Sequence, residues 1–193
     1  MPRKYELKRR AERQEETRLR IVEAAVALHT TIGPARTTAS AVAERARVQR
    51  HTFYRHFSDE RALSLACSGL YHQRHPLPDS GTWRTIADPE RRLRHGLTEL
   101  YAYYERNGAA LAPILRDADV HPVTRELVEL RMAPLFVRMH EVLAEPFRAR
   151  GPRRRRLRAM LGLFLDFNTW RICARAMSRK EAVEAAVRAL RCQ

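Results

Sequence analysis

Apolar residues along this chain recur at the three-to-four-residue interval of a helix, and no region is rich in strand-like segments. Residues 17–32 set Ile21, Ala25, Leu28 and Ile32 on one stripe, and Gly33 with Pro34 should end that helix. Thr37 or Thr38 suits an N-cap, because its hydroxyl can accept a bond from an orphan backbone N–H, and a short helix follows to about Arg45. Ala46, Arg47 and Val48 form a break before a second short helix from Gln49 to about His56. Ser58, followed by Asp59 and Glu60, predicts a fourth helix to about His72, with acids where the helix dipole favours them. Residues 75–87 are rich in turn formers and predict a junction.

Asp88 and Pro89 supply an N-cap and a first-turn proline for a helix whose Leu93, Leu97, Leu100, Tyr101 and Tyr104 share a face. Asn107 and Gly108 are expected to stop it, with a short helix around Ala110–Arg116 and a long one from Pro122 to about Arg148, kinked at Pro134. In residues 159–174, Leu161, Leu163, Leu165 and Phe167 alternate as a strand would, but the length and the arginine-rich flanks predict helix. Ser178 and Glu181 have capping-box spacing, ahead of a stripe of Ala182, Val183, Ala186, Val187 and Leu190. The expected fold is all-α, with a basic arm over 1–16, a three-helix head over 17–63 and a helical body over 64–193.

Composition then narrows the classes of function. No stretch reaches the ~20 apolar residues of a membrane span, the charged N-terminus is not followed by an apolar run, and the cysteines are odd in number (Cys67, Cys173, Cys192). The expectation is a soluble, cytoplasmic protein without a disulfide framework. A formal net charge of +15 points to a polyanionic partner. Residues 1–60 hold 13 basic and 8 acidic side chains and the remainder 24 and 14, so basicity is not confined to the head. Lysine occurs only at 4, 8 and 180, and codon bias in a GC-rich genome is an alternative source of the arginine excess. HExxH, CxxC, GxSxG and P-loop patterns are absent, so an enzyme is not expected, and neither a cofactor nor a metal is implied.

The most informative block is residues 37–63. Two short helices joined by a three-residue turn, with Ala43 and Ala46 at their crossing and Val48, Phe53 and Phe57 as apolar anchors, fit a helix-turn-helix whose second helix enters the major groove. Arg50 with Tyr54 and His51 with Arg55 fall at i,i+4 on another face, suited to bases and phosphates. The block resembles the DNA-binding head of the tetracycline-repressor (TetR) family: a Thr-Thr pair, an alanine-rich helix, and a recognition helix ending here in Phe53, Tyr54, Arg55, His56 and Phe57. That resemblance covers roughly residues 15–63. It implies that Thr38, Tyr54 and His56 touch phosphates while Gln49, Arg50, His51 and Arg55 face base edges. Two positions depart from the pattern: Arg47 stands where the turn usually has glycine, and Glu60 where the fourth helix often begins with lysine. The arm from Arg3 to Arg13 fits either a minor-groove contact or a solvated lead-in.

For the body, the resemblance implies a homodimer formed through the last two helices and an effector pocket among the central ones. Residues 159–172, apolar on nearly every side, need a second covering surface. Phe167, Trp170, Val183, Val187 and Leu190 are the interface candidates. Tyr101, Tyr104, Met132, Phe136, Phe164 and Asn168 are the candidates for the pocket, against the competing reading that each is core, and Asp166 with Asn168 could orient an effector. The expected function is a repressor released from a palindromic duplex operator by a small molecule. Control by a protein partner, or no small effector at all, is the alternative.

Overall fold

The computed structural model describes residues 2–191, so Cys192 and the side chain of Arg3 lie outside the described residues. Nine α-helices run through them: α1 Pro2–His29, α2 Ala39–Arg45, α3 Arg50–His56, α4 Glu60–Arg74, α5 Pro89–Ala118, α6 Pro122–Ala144, α7 Gly151–Leu165, α8 Phe167–Cys173 and α9 Arg179–Arg191. Among the described residues there is no strand, and no helix is long and apolar enough to cross a membrane. Internal packing divides the chain into two compact units. One comprises the residues up to His75 together with Ala109–Arg131; the other comprises Pro76–Gly108 and the residues from Met132 on.

In the first unit, Ile21, Val22, Ala24 and Ala25 of α1 pack with Val42, Ala43 and Ala46 of α2 and its turn, Phe53 and Phe57 of α3 and its end, and Leu63 and Cys67 of α4. The expected stripe on α1 is shifted: the helix stops at His29, and Ile32 lies beyond it, 40 % exposed. At the other end α1 extends far beyond the expected start near residue 17. Residues 5–16 are mostly strong helix formers, and Lys8–Glu12 (3.9 Å) and Glu15–Arg18 (3.7 Å) pair along the surface.

In the second unit the face of α5 carrying Leu93, Leu97, Leu100, Tyr101 and Tyr104 is buried as its spacing predicts, with Met139, Val142 and Leu143 of α6, Leu157, Leu161 and Leu165 of α7 and the whole apolar stripe of α9. Ion pairs Glu90–Arg191, Arg94–Glu184 and Glu105–Arg179 show α9 running antiparallel to α5. Residues 75–87 are more ordered than a junction rich in turn formers suggests. Trp83 is fully enclosed and its indole N–H donates to Glu99 (2.6 Å). Buried Arg92 donates to the carbonyls of Ile86 (2.7 Å), Arg84 (3.1 Å) and Val142 (3.1 Å) and to Glu145 (3.1 Å), which satisfies a cation that would otherwise be costly to bury.

Two expected boundaries moved. α5 continues through Asn107 and Gly108: the Asn107 amide donates back to the Tyr103 carbonyl (2.9 Å), and a Cβ on Gly108 would stand 3.1 Å from the Trp170 ring. That glycine serves close packing rather than termination. Conversely, the single helix expected over 159–174 is broken at Asp166, whose backbone turns extended (φ −70°, ψ 136°) and whose carboxylate accepts the Thr169 N–H (2.9 Å) as the N-cap of α8.

Candidate nucleic-acid interface

The helix-turn-helix is set by local backbone chemistry. Thr38 Oγ1 accepts the Ala41 N–H (3.2 Å) and starts α2, and small Ala43 and Ala46 are buried where α2 leads into the turn. The helix ends with the Val48 N–H donating to the Ala43 carbonyl (2.9 Å) and the Arg47 N–H donating to the Glu44 carbonyl (3.0 Å), the paired bonds of a Schellman motif. That motif needs a left-handed residue at Arg47, which has φ 54°. The turn therefore keeps its usual form with arginine in place of glycine, at a cost of about 1 kcal/mol.

From this turn α3 projects its polar row outward. Gln49 occupies the N-cap position without using its side chain to cap, and Gln49, Arg50, His51, Tyr54 and Arg55 are all exposed. Arg50 donates to the Tyr54 hydroxyl (3.4 Å) and its guanidinium stands 5.7 Å from that ring, while Tyr54 meets buried Phe53 edge-on at 5.2 Å. The buried Phe53 thus fixes the base of the exposed pair. Thr38 is exposed and only accepts in its cap, so its hydroxyl proton remains available.

His56 differs from its neighbours. It is half-buried, and its Nε2 is enclosed without a hydrogen-bond partner. Burial, followed by the nearby Arg55 and Arg18 charges, lowers its pKa below the ordinary histidine value, against the opposing pull of Glu15. With Arg55 it walls a cavity of about 210 Å³ whose other lining residues, Arg10, Arg13, Gln14 and Thr17, come from α1.

The start of α4 is engaged elsewhere. Asp59, rather than Ser58, is the cap: it accepts the Ala62 N–H (2.7 Å), and this bond, then one from Ser58, lowers its pKa. Glu60 pairs with His121 (3.0 Å), and Arg61 grips Glu126 with two nitrogens (2.9 and 2.5 Å). Nearby, the buried Asp117 carboxylate accepts the Ala35 N–H (2.9 Å) and pairs with Arg116, which also donates to the Ile32 carbonyl (3.0 Å). Gly33 (φ 96°) is required there, since a Cβ would collide with Asp117 Oδ2. Sequence reasoning missed Asp117, His121 and Glu126, because nothing in local spacing ties them to a segment more than eighty residues earlier for Asp117, or sixty for Glu126.

The body candidates take different places. Tyr101 and Tyr104 are fully buried and donate to the carbonyls of Phe164 (3.0 Å) and Leu165 (2.6 Å). Those carbonyls sit at the end of α7, where the break at Asp166 leaves them without helical partners. Burial raises the pKa of both phenols. Tyr104, Phe167 and Trp170 stack into one cluster with centroids 5.3–5.5 Å apart. Met132 is buried, Phe136 and Phe164 are half-buried and Asn168 is exposed.

The interface candidates Phe167, Trp170, Val183, Val187 and Leu190 are at most 8 % exposed within the single chain. The apolar side chains left open in this unit include Leu135, Val137, Leu163, Ile172 and Met177. Cys67 is buried, with its pKa pushed up to about 12 by desolvation, which fits a core residue rather than a reactive thiol.

Residues 21–67 match the model of the family described as bacterial regulatory proteins, tetR family. Similar solved structures include NalD, the secondary repressor of the MexAB-OprM multidrug efflux pump in Pseudomonas aeruginosa, at 21 % identity and TM-score 0.62 over 93 % of this chain and 95 % of that one. The TetR family transcriptional regulator PfmR from Thermus thermophilus is 20 % identical with TM-score 0.55 over 88 % and 96 % of the two chains. A tetR-family transcriptional regulator from Streptomyces coelicolor is 18 % identical with TM-score 0.58 over 91 % and 79 %. No curated protein matches the chain by sequence. The head, residues 21–67, thus matches the DNA-binding part of bacterial regulatory proteins of the tetR family, and the all-helical fold of the chain is similar to that of solved tetR-family regulators.

Proposed function

We propose that the protein is a cytoplasmic homodimeric repressor that binds a palindromic duplex operator and leaves it when a small effector binds the body. The observation that carries the reading is the outward row of Gln49, Arg50, His51 and Tyr54 on a helix anchored by buried Phe53 and a hydrogen-bonded turn. Gln49, Arg50 and His51 read base edges, while Thr38, Tyr54 and His56 hold phosphates and fix the register. Arg55 shares a cavity with cationic residues of α1, so it is assigned to phosphate rather than to bases. The similarity of fold to NalD, named as a repressor, supports repression over activation. A two-fold partner seated on the exposed side chains Leu163 and Ile172 supplies the second recognition helix that a palindrome requires.

Selection of bound sites from a random duplex pool tests this reading. A palindrome should emerge, and Arg50→Ala should lose about 1 to 3 kcal/mol on that palindrome with little change on random duplex. Equal losses on both would refute base readout by Arg50. One observation favours a second reading in which no small effector acts: the hydroxyls of Tyr101 and Tyr104, expected to face a ligand, are bonded to backbone carbonyls. Repeating the selected-site assay with candidate ligands separates the two, since release by any of them supports an effector.

A further inference from the structure

We propose that the cavity between α1 and the end of α3 is a seat for one backbone phosphate of duplex DNA, so that Arg10 and Arg13 carry the contact outside the helix-turn-helix itself. The inference rests on the DNA-binding reading above. Arg10, Arg13, Gln14 and Thr17 follow the i, i+3, i+4, i+7 spacing of one helix face. Further along α1 that face continues into Ile21, Ala24, Ala25 and Leu28, which pack in the head core. One side of α1 is therefore apolar where it meets the core and cationic where it passes the end of α3.

Three guanidinium groups, Arg10, Arg13 and Arg55, border the cavity and no acidic side chain lines it. The α1 acids Glu12 and Glu15 pair instead with Lys8 and Arg18, and among the described residues none of the three cavity arginines forms an ion pair. An anion entering among them lowers their mutual repulsion, and planar guanidinium forks suit phosphate oxygens. Gln14 adds an amide donor. His56 contributes an imidazole whose enclosed Nε2 holds no partner, so its proton can sit on either nitrogen.

Position selects the source of the anion. Arg55 and His56 form the last turn of α3, the helix that presents Arg50 and His51 from its first turn. A rod lying in the major groove is bordered on each side by a phosphate strand, and the α1 side of α3 faces one of them. The seat differs from a minor-groove arm because it contacts no base.

The test uses the full chain with Arg10→Gln and Arg13→Gln combined, with Arg10→Lys and Arg13→Lys as the charge-retaining control. Both positions are exposed, so helical content and melting should match the parent. Affinity for the selected operator and for random duplex should fall by the same factor, on the order of tenfold, and the slope of log K against log salt should shrink by about 1.8 for the bound dimer, about 0.9 for each half-site. The lysine pair should restore the slope. A methylphosphonate placed at single backbone positions should weaken the parent at one position per half-site and have no effect there on the glutamine pair. An unchanged slope, a loss confined to the operator, or a methylphosphonate effect that survives the glutamine pair would each overturn the seat. Inorganic phosphate should compete with duplex no better than chloride at equal ionic strength. Phosphate-specific competition that the glutamine pair abolishes would mean a free-anion site instead. A parent that binds no duplex under any of these conditions would sink the DNA-binding reading itself, whereas a binding parent with an unaffected slope sinks only the seat.

Discussion

The polar groups of the recognition helix and those of the aromatic cluster in the body have opposite fates. At the N-cap of α3 and along it, Gln49, Arg50, His51 and Arg55 stand in solvent with donor capacity left over, while the Thr52 and Phe53 N–H groups beneath them both donate to the Gln49 carbonyl. In the body, Tyr101, Tyr104, Trp83 and Arg92 are buried and each polar end is tied to a carbonyl or carboxylate nearby. Residue type alone does not separate the two sets. What separates them is whether the fold already supplies a partner: donors without one are available to a ligand, while donors with one hold helices together.

The sharpest test of this contrast sets a buried apolar position of the body against an exposed one. Val183→Asp places a carboxylate where the side chain is 2 % exposed with no partner provided, so unfolding free energy should fall by at least about 4 kcal/mol in denaturant titration. Ile172→Glu, at a side chain 67 % exposed, should change stability by less than about 0.5 kcal/mol and instead produce monomers in sedimentation. A folded monomer from Val183→Asp would place that residue at an interface and break the comparison.

Acid should weaken the first unit through His29. Burial, aided by the His121 charge and opposed by Asp117, pushes its pKa from 6.5 down to about 4. The unfolded chain then takes up this proton before the folded one does. Stability is full above pH 6.5, falls as pH drops from 6.5 to 4, and is level below that, for a total of at most about 3 kcal/mol. His56, His72 and His140 are also lowered and add to the slope, so the difference between parent and His29→Gln isolates the effect. Parallel curves for the two proteins between about pH 7 and pH 4.5 would remove His29 from the account.

A smaller effect separates structural from ligand-facing tyrosines. Tyr104→Phe removes the hydroxyl bonded to the Leu165 carbonyl at 2.6 Å and should cost about 1 to 2 kcal/mol, read as a lower denaturation midpoint with unchanged slope. Full stability combined with a lost ligand response would transfer Tyr104 to an effector site.

Much of this was legible in the sequence, for identifiable reasons. The helix-turn-helix depends on local bonds within 37–57, so caps, turn and anchors could be placed from spacing alone. The stripes on α5 and α9 were legible because one face of each is apolar throughout. Three things were not. Gly108 looked like a stop because its packing partner, Trp170, is more than sixty residues away. Asp166 looked like a ligand anchor because a cap inside an apolar run cannot be told from a polar pocket residue without knowing that the helix breaks there. The stripe at Arg10, Arg13, Gln14 and Thr17 escapes a reading by spacing because polar residues at helical intervals ordinarily signal a solvated face, and only the position of α3 gives this one a neighbour.

The mildest perturbation tests the turn that aims the exposed set. Arg47 holds φ 54° because the Val48 and Arg47 N–H groups must reach the Ala43 and Glu44 carbonyls, and an L side chain in that conformation presses its Cβ toward its own backbone. Glycine relieves the strain but gains freedom in the unfolded chain, so the two effects partly offset each other. Arg47→Gly should raise stability by about 0.5 to 1 kcal/mol in denaturant titration while leaving operator affinity and its salt slope at the parent values. A gain in stability with a shallower salt slope would mean that the arginine is retained, strain included, as a phosphate contact. No gain at all would mean that the Schellman turn accommodates arginine as readily as glycine, and the rigidity assigned to the joint between α2 and α3 would then have to come from Val48 and Phe53 packing beneath it.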